Sequence, residues 1–277
     1  EINRQDILTG DYACVDEPPM PFYNPSKSSG YAWSMSNNKA AYYQFEPTRS
    51  QDVAREMLKG LVGIVVTDGY EGKLFLENNQ DQIHVYCWAH MRRYFYDAMA
   101  DDDDAGVMVD HIDELYAVEH KAVNLEDLGR LRLSESKKIY ADIEAWIGEN
   151  EERYLKSTLT GKAINYFYNQ KAGLERFLDD PRIPIDNNAA ERRQRCPVMG
   201  RKNFQGFRSI DGADIGMFFY FFIDSCRTNG LDPTAYFLEM AIRKLKEETI
   251  ETPYCYACRL KSKIHMEENM KLQGPTP

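Results

Sequence analysis

Two aspartates sit at the ends of mostly apolar runs. Asp16 closes Tyr12-Ala13-Cys14-Val15, and Asp68 follows Ile64-Val65-Val66-Thr67 where Gly69 turns the chain. A carboxylate at the end of a buried strand is costly unless it is paired or holds a metal, and strand ends are where open α/β sheets bind ligands. Taken alone, each aspartate reads first as a turn or cap residue. A third carboxylate, Glu191, falls in the first turn of an expected helix, where the helix dipole favours negative charge. Together the three form an oxygen-rich set suited to Mg²⁺ or Mn²⁺. Two such ions about 3.5 to 4 Å apart activate the attacking oxygen and stabilise the leaving one in an in-line phosphoryl transfer.

The elements that must carry these residues follow from the hydrophobic pattern. Tyr12 to Val15 predicts a strand, and Tyr31 to Met35 and Ala40 to Phe45 predict a hairpin around the polar turn Asn37-Asn38-Lys39. Arg49 to Leu61 has helical spacing, Ile64 to Val66 reads as a short, fully buried strand, and Ile83 to Cys87 as a second. Four helical stripes follow: Trp88, Met91, Phe95 and Ala98; Met108, Ile112, Leu115 and Tyr116; Ile139, Ile143, Trp146 and Ile147; Ile164, Phe167 and Tyr168. Asp179 to Ile185 is extended, and Asp186-Asn187-Asn188 supplies cap residues for the helix of Glu191. Asn229-Gly230 closes one later helix, and Asp232-Pro233 opens the last. This order predicts an α/β fold of the ribonuclease H type, a mixed sheet flanked by helices and interrupted by a helical insertion. The expected division is residues 1–100 for the first part of the core, 101–180 for the insertion, 181–250 for the final part, and 251–277 for a tail.

Five segments also carry a family resemblance. Val66-Thr67-Asp68-Gly69-Tyr70-Glu71-Gly72, Cys87-Trp88-Ala89-His90-Met91-Arg92-Arg93-Tyr94-Phe95 and Ile185-Asp186-Asn187-Asn188-Ala189-Ala190-Glu191-Arg192 resemble signature segments of insertion sequence 66 family transposases. Gly200-Arg201-Lys202-Asn203-Phe204 and Asn229-Gly230-Leu231-Asp232-Pro233 resemble two more, and all stand in the family's order. The resemblance implies a ribonuclease H-like fold with an Asp, Asp, Glu site for two Mg²⁺ or Mn²⁺ ions, falling here on Asp16, Asp68 and Glu191. It implies cleavage of DNA to expose a 3′-OH and transfer of that end to target DNA. Element ends and target are the implied partners, and a homo-oligomer on DNA the implied assembly. The family usually has Asp-Glu-Thr where this chain has Asp16-Glu17-Pro18, so a hydroxyl is missing and Glu17 and Asp11 compete for the role of Asp16. The family's upstream DNA-end-binding and zinc-binding regions fall outside this sequence.

A net charge of -10 and a pI near 5.1 weigh against nucleic acid, which normally selects a basic surface. The distribution reverses that inference. Acid concentrates in Asp101 to Asp104 and around Glu149, Glu151 and Glu152, whereas Arg182, Arg192, Arg193, Arg195, Arg201, Lys202 and Arg208 crowd one region. The candidate DNA contacts are His90, Arg93, Arg192, Arg193, Arg201, Lys202 and Asn203. His90 reads either as a group near the carboxylates that touches the scissile phosphate, or as a core histidine bonded to a neighbour. Cys87 and His90 offer half of a zinc site with no second pair behind them, and Cys255 and Cys258 belong to the tail.

No apolar run approaches the roughly 20 residues needed to cross a bilayer, and the N-terminus reads as internal to a longer chain. Scattered cysteines suggest reduced, cytoplasmic thiols, and the family resemblance implies a bacterial, nucleoid-associated protein. Two further readings share these residues: a nuclease that only hydrolyses DNA, and an inactive or truncated transposase that serves as a DNA-binding and assembly module.

Overall fold

The computed structural model describes residues 2–24, 27–69, 76 and 80–272. Tyr70, Glu71 and Gly72 of the Asp68 segment, and the side chains of Ala189, Ala190, Arg195, Phe204 and His265, lie outside the described residues. The chain divides into two units, one formed by Glu1–Leu61 with Arg192–Pro277, the other by Val62–Glu191. Among the described residues there are six strands of mixed direction accompanied by helices, which makes this an α/β protein. No described helix is long and apolar enough to cross a membrane.

In the first unit, β1 (Tyr12–Asp16), β2 (Pro19–Asn24), β3 (Lys27–Ser36) and β4 (Ala41–Glu46) are antiparallel, and β3 pairs with each of the other three. The expected hairpin turn is fastened by buried Asn37, whose Oδ1 accepts the Lys39 and Ala40 amides at 2.8 and 3.0 Å. β4 alternates strictly, so Ala41, Tyr43 and Phe45 enter a core with Met20, Phe22, Ala213 and Met217. Helices α1 (Ile2–Leu8) and α2 (Gln51–Met57) precede the second unit, and α9 (Ile210–Thr228), α10 (Pro233–Leu245) and α11 (Pro253–Leu272) follow it, so the helix opened by Asp232-Pro233 is not the last as expected. Their ends use the expected chemistry: Asp232 Oδ1 accepts the Ala235 amide at 2.7 Å ahead of Pro233, and Gly230 takes the left-handed φ of +69° that closes α9.

The second unit begins with two parallel strands, β5 (Gly63–Thr67) and β6 (Gln82–Tyr86), with Val65 opposite His84. The second strand is buried as expected except at Ile83, which is 46% exposed. α3 (Trp88–Ala98), α4 (Ala105–Lys121), α5 (Leu125–Leu131), α6 (Lys137–Asn150) and α7 (Leu159–Glu175) come next, and α8 (Asn188–Phe204) starts at the end of the unit. The predicted stripes supply its core: Trp88, Met91, Phe95 and Ala98 are fully buried, as are Met108, Ile112, Leu115 and Ile143. Tyr168 leaves its stripe and is 44% exposed.

Between α5 and α6 the helix widens into a π turn, Arg132–Ser136, which turns Arg132 inward. Arg132 is 1% exposed and uses all its guanidinium donors. Nε and Nη2 bind Glu119 at 2.7 and 2.6 Å, Nη1 reaches the Phe177 and Asp180 carbonyls at 2.6 and 3.0 Å, and Nη2 also reaches the Ile183 carbonyl at 3.0 Å. One side chain thus fixes the irregular segment that leads to α8. Replacing Arg132 with Met strands a partly buried carboxylate and three carbonyls, and should cost about 3–5 kcal/mol in urea unfolding. Arg132→Lys should recover little, because a point charge cannot fill a planar five-donor site. A lysine variant within about 1 kcal/mol of the parent would contradict this account.

Candidate catalytic site around Glu191

Asp186, Asn187 and Asn188 build the entry to α8 before Glu191 appears. Asp186 Oδ1 accepts the Asn188 amide at 2.9 Å, its Oδ2 accepts the Asn188 side-chain amide, and the Glu191 amide bonds to the Asn187 carbonyl at 3.0 Å. Two bonds strap this entry to the start of α3: Trp88 N–H to the Ile185 carbonyl at 3.1 Å, and Asn187 N–H to Cys87 Sγ at 3.2 Å.

The strap sets Glu191 opposite two residues one turn apart on α3. His90 Nδ1 lies 3.6 Å from Glu191 Oε1, and Arg93 Nη2 lies 3.9 Å from Glu191 Oε2. Both distances exceed a hydrogen bond. His90 Nδ1 and Glu191 Oε1 are buried and neither has a hydrogen-bond partner. Polar atoms in that condition cost stability unless a ligand satisfies them. Ligand atoms of Cys87, His90 and Glu191 all lie within 4.8 Å of one another. Burial pushes the Cys87 thiol up to about 12, so at neutral pH it is a neutral acceptor for the Asn187 amide. The Glu191 carboxylate suits a hard divalent cation, whereas imidazole suits softer metals and a protonated thiol suits neither.

Asp68 directly follows β5 and is half-buried. The Thr67 hydroxyl donates to the Asp68 carbonyl at 2.7 Å, so the 2.7 Å contact between Thr67 Oγ1 and His84 Nε2 requires the histidine to donate. Tyr166 of α7 covers Gly69: a Cβ there would stand 2.8 Å from its ring and 2.9 Å from its hydroxyl oxygen. The Tyr166 hydroxyl is held above its ordinary pKa by burial, then by Cys87, Tyr94 and Asp68, so it lies within electrostatic reach of both Asp68 and Cys87. The Tyr94 ring stacks on it at 4.3 Å. Tyr166 falls between the apolar positions of its stripe, where nothing in the sequence marks it as a neighbour of Asp68.

In the first unit, Asp16 ends β1 opposite Ser34, and its Oδ1 accepts the Glu17 amide at 2.9 Å. Glu17 is itself buried and bound by Arg49 through Nε at 2.8 Å and Nη2 at 2.5 Å. The basic residues of α8 separate by environment. Arg193 donates to the Ala40 carbonyl at 3.1 Å and stands 3.9 Å from Asp224, while Arg201 donates to the Pro19 carbonyl. Arg192, Lys202 and Asn203 are exposed.

Residues 1–215 match the profile of the Transposase IS66 family. The chain belongs to this family. Among curated proteins it is similar to two uncharacterized proteins of Sinorhizobium fredii. It is 29% identical to y4qI over 255 residues, covering 82% of this chain and 46% of that protein. It is 27% identical to y4hP over 224 residues, covering 74% and 41%. The chain thus spans less than half the length of these relatives. No solved structure matches it.

The covering of Gly69 by Tyr166 gives a direct test of how Asp68 is seated. Gly69→Ala should destabilise the protein by about 1–3 kcal/mol, since a rigid, stacked ring must move. In a Tyr166→Ala background the same change should cost less than half as much. Equal costs in the two backgrounds, by urea unfolding, would show that the ring is not what confines Gly69.

Proposed function

We propose that this chain is the catalytic core of a transposase that cuts DNA at the ends of an insertion sequence, exposes a 3′-OH and joins it to target DNA. Asp16, Asp68 and Glu191 carry the chemistry within a ribonuclease H-like core, with residues 101–180 as its helical insertion. Membership of the IS66 family supports the reaction class. The observation that carries the site is the buried pair of unsatisfied atoms, Glu191 Oε1 and His90 Nδ1, 3.6 Å apart. The carboxylate oxygen fits Mg²⁺ or Mn²⁺, with Asp16, Asp68 and Glu191 as the residues that would hold two ions. A bound divalent cation polarises phosphate oxygens and lowers the pKa of the attacking hydroxyl or water.

The chain's own residues do the rest. Glu191 supplies negative charge from a helix start that Asp186 and the strap to α3 hold in place. Arg93, with its side chain 61% exposed, donates to a non-bridging phosphate oxygen, and His90 orients the same phosphate from the protected side. Asp16 is the ligand taken at the end of β1, next to Glu17, whose Oε1 is bound by Arg49. Exposed Arg192, Lys202 and Asn203 position the DNA backbone, while Arg193 and Arg201 shape α8 by bonds within their unit. A homo-oligomer on DNA belongs to this reading, supported by exposed Ile215, Phe218, Phe219, Phe237 and Leu238 on α9 and α10. Action on a bacterial chromosome places the protein at the nucleoid. The hydrolytic reading differs only in its products, and an assay that detects joined strands separates it.

Asp68→Asn and Glu191→Gln should each abolish Mn²⁺-dependent cleavage while leaving circular dichroism and DNA binding nearly unchanged. Cleavage by Glu191→Gln at near the parent rate would move the third ligand elsewhere, with Asp186 the first alternative.

Neutralising Arg192 and Lys202 together should lower the magnitude of the slope of log affinity against log salt by roughly 2, with little change in sequence preference. An unchanged slope would place the DNA on another surface.

A further inference from the structure

Beside Glu191, the second unit holds a polar cleft of about 440 Å³, of which the reaction above uses Arg93 alone. One face of α3 supplies Ala89, Arg92, Arg93 and Tyr96, α4 supplies Asp113 and Tyr116, and Asn188 closes the end. Arg92 is locked by two bonds to Asp113, Nε at 2.6 Å and Nη2 at 2.8 Å. The pair holds the guanidinium plane still and cancels the aspartate's charge. That guanidinium lies over the Tyr96 ring, 5.8 Å from its centroid, yet Tyr96 is 58% exposed. Arg93 lines the cleft and also stands 3.9 Å from Glu191, so a single side chain joins the cleft to the candidate catalytic carboxylate.

We propose that this cleft takes one unpaired DNA nucleotide next to the scissile phosphate, with Tyr96 and the Arg92 plane stacking on its base and Arg93 on its phosphate. The inference rests on the proposed function, since it assumes that the scissile phosphate lies at Glu191. Three features favour an unpaired nucleotide over a duplex. An exposed ring beside a fixed guanidinium plane is a stacking platform, and stacking needs a base face that a duplex keeps covered. The volume is near the low end for small-ligand sites, which suits one nucleotide. Arg92 and Asp113 offset each other, so Arg93 is the lining cation left to meet a phosphate. An unpaired base at the cut also lowers the cost of drawing the strand out of the helix, which is how enzymes gain access to buried positions in a duplex.

The test uses a forked DNA carrying 2-aminopurine in its unpaired arm and the matching blunt duplex, without added divalent metal so that cleavage does not intervene. The parent protein should bind the fork more tightly and change the 2-aminopurine fluorescence. Tyr96→Ala should lower fork affinity about tenfold or more, Tyr96→Phe should retain it, and blunt-duplex affinity should change less than about twofold. Loss of affinity for fork and duplex in equal measure, or for neither, overturns the proposal. Mn²⁺-dependent cleavage by the parent, lost in Asp68→Asn, reports separately on the proposed function. Fork discrimination through Tyr96 without cleavage would sink the catalytic reading and keep the cleft. Cleavage without that discrimination would sink the cleft alone.

Discussion

Much of the second unit depends on how the irregular segment between α7 and α8 is held. Apart from the single 3₁₀ turn Arg176–Leu178, this stretch has no regular secondary structure and must find partners for its backbone groups one at a time. Here Arg132 supplies three carbonyls with donors, Trp88 a fourth, and Cys87 receives the Asn187 amide. The cost of burying a guanidinium is offset because Glu119 takes two of its donors in bidentate geometry and the remaining donors are also used. A π turn at Arg132 makes this possible by inserting the side chain where a regular helix would aim it elsewhere.

That restraint has a consequence for the candidate site. Glu191 emerges at a defined place on α8, facing His90 and Arg93 at distances too long for hydrogen bonds. Had the three closed on each other, the carboxylate would be satisfied and less available. Instead two buried polar atoms remain without hydrogen-bond partners, a state with a stability cost that suits a site meant to take a ligand. Tyr166 has a parallel role near Asp68, where its stacked ring leaves room for hydrogen alone at Gly69.

The basic region of α8 shows why charge counting alone is a poor guide to a binding surface. Arg193 has its side chain only 17% exposed and donates to the Ala40 carbonyl, and Arg201 donates to the Pro19 carbonyl, so part of the positive charge organises the first unit. Arg192, Lys202 and Asn203 keep their polar ends in solvent, where a phosphate backbone can reach them. An overall charge of -10 makes this local surface matter more, because the rest of the chain repels DNA at long range.

Element types and several of their ends were legible in the sequence. The hairpin at Asn37, the stripe of Trp88, Met91, Phe95 and Ala98, the Asn187-Asn188 start before Glu191 and the Asp232-Pro233 cap all rest on local periodicity and turn chemistry, which a chain carries without reference to its distant parts. So did the membership that five ordered segments pointed to. Tertiary structure alone decided the rest: that Arg132 would bind carbonyls 45 to 51 residues away, that Tyr166 would roof Gly69, and that Arg92 would pair with Asp113 beside an exposed Tyr96. Arg193 and Lys202 look alike in a list of charges, and only packing distinguishes a buried donor from a solvated one. These outcomes depend on which helix faces meet, and hydrophobic period fixes the face that is buried without fixing the partner it is buried against.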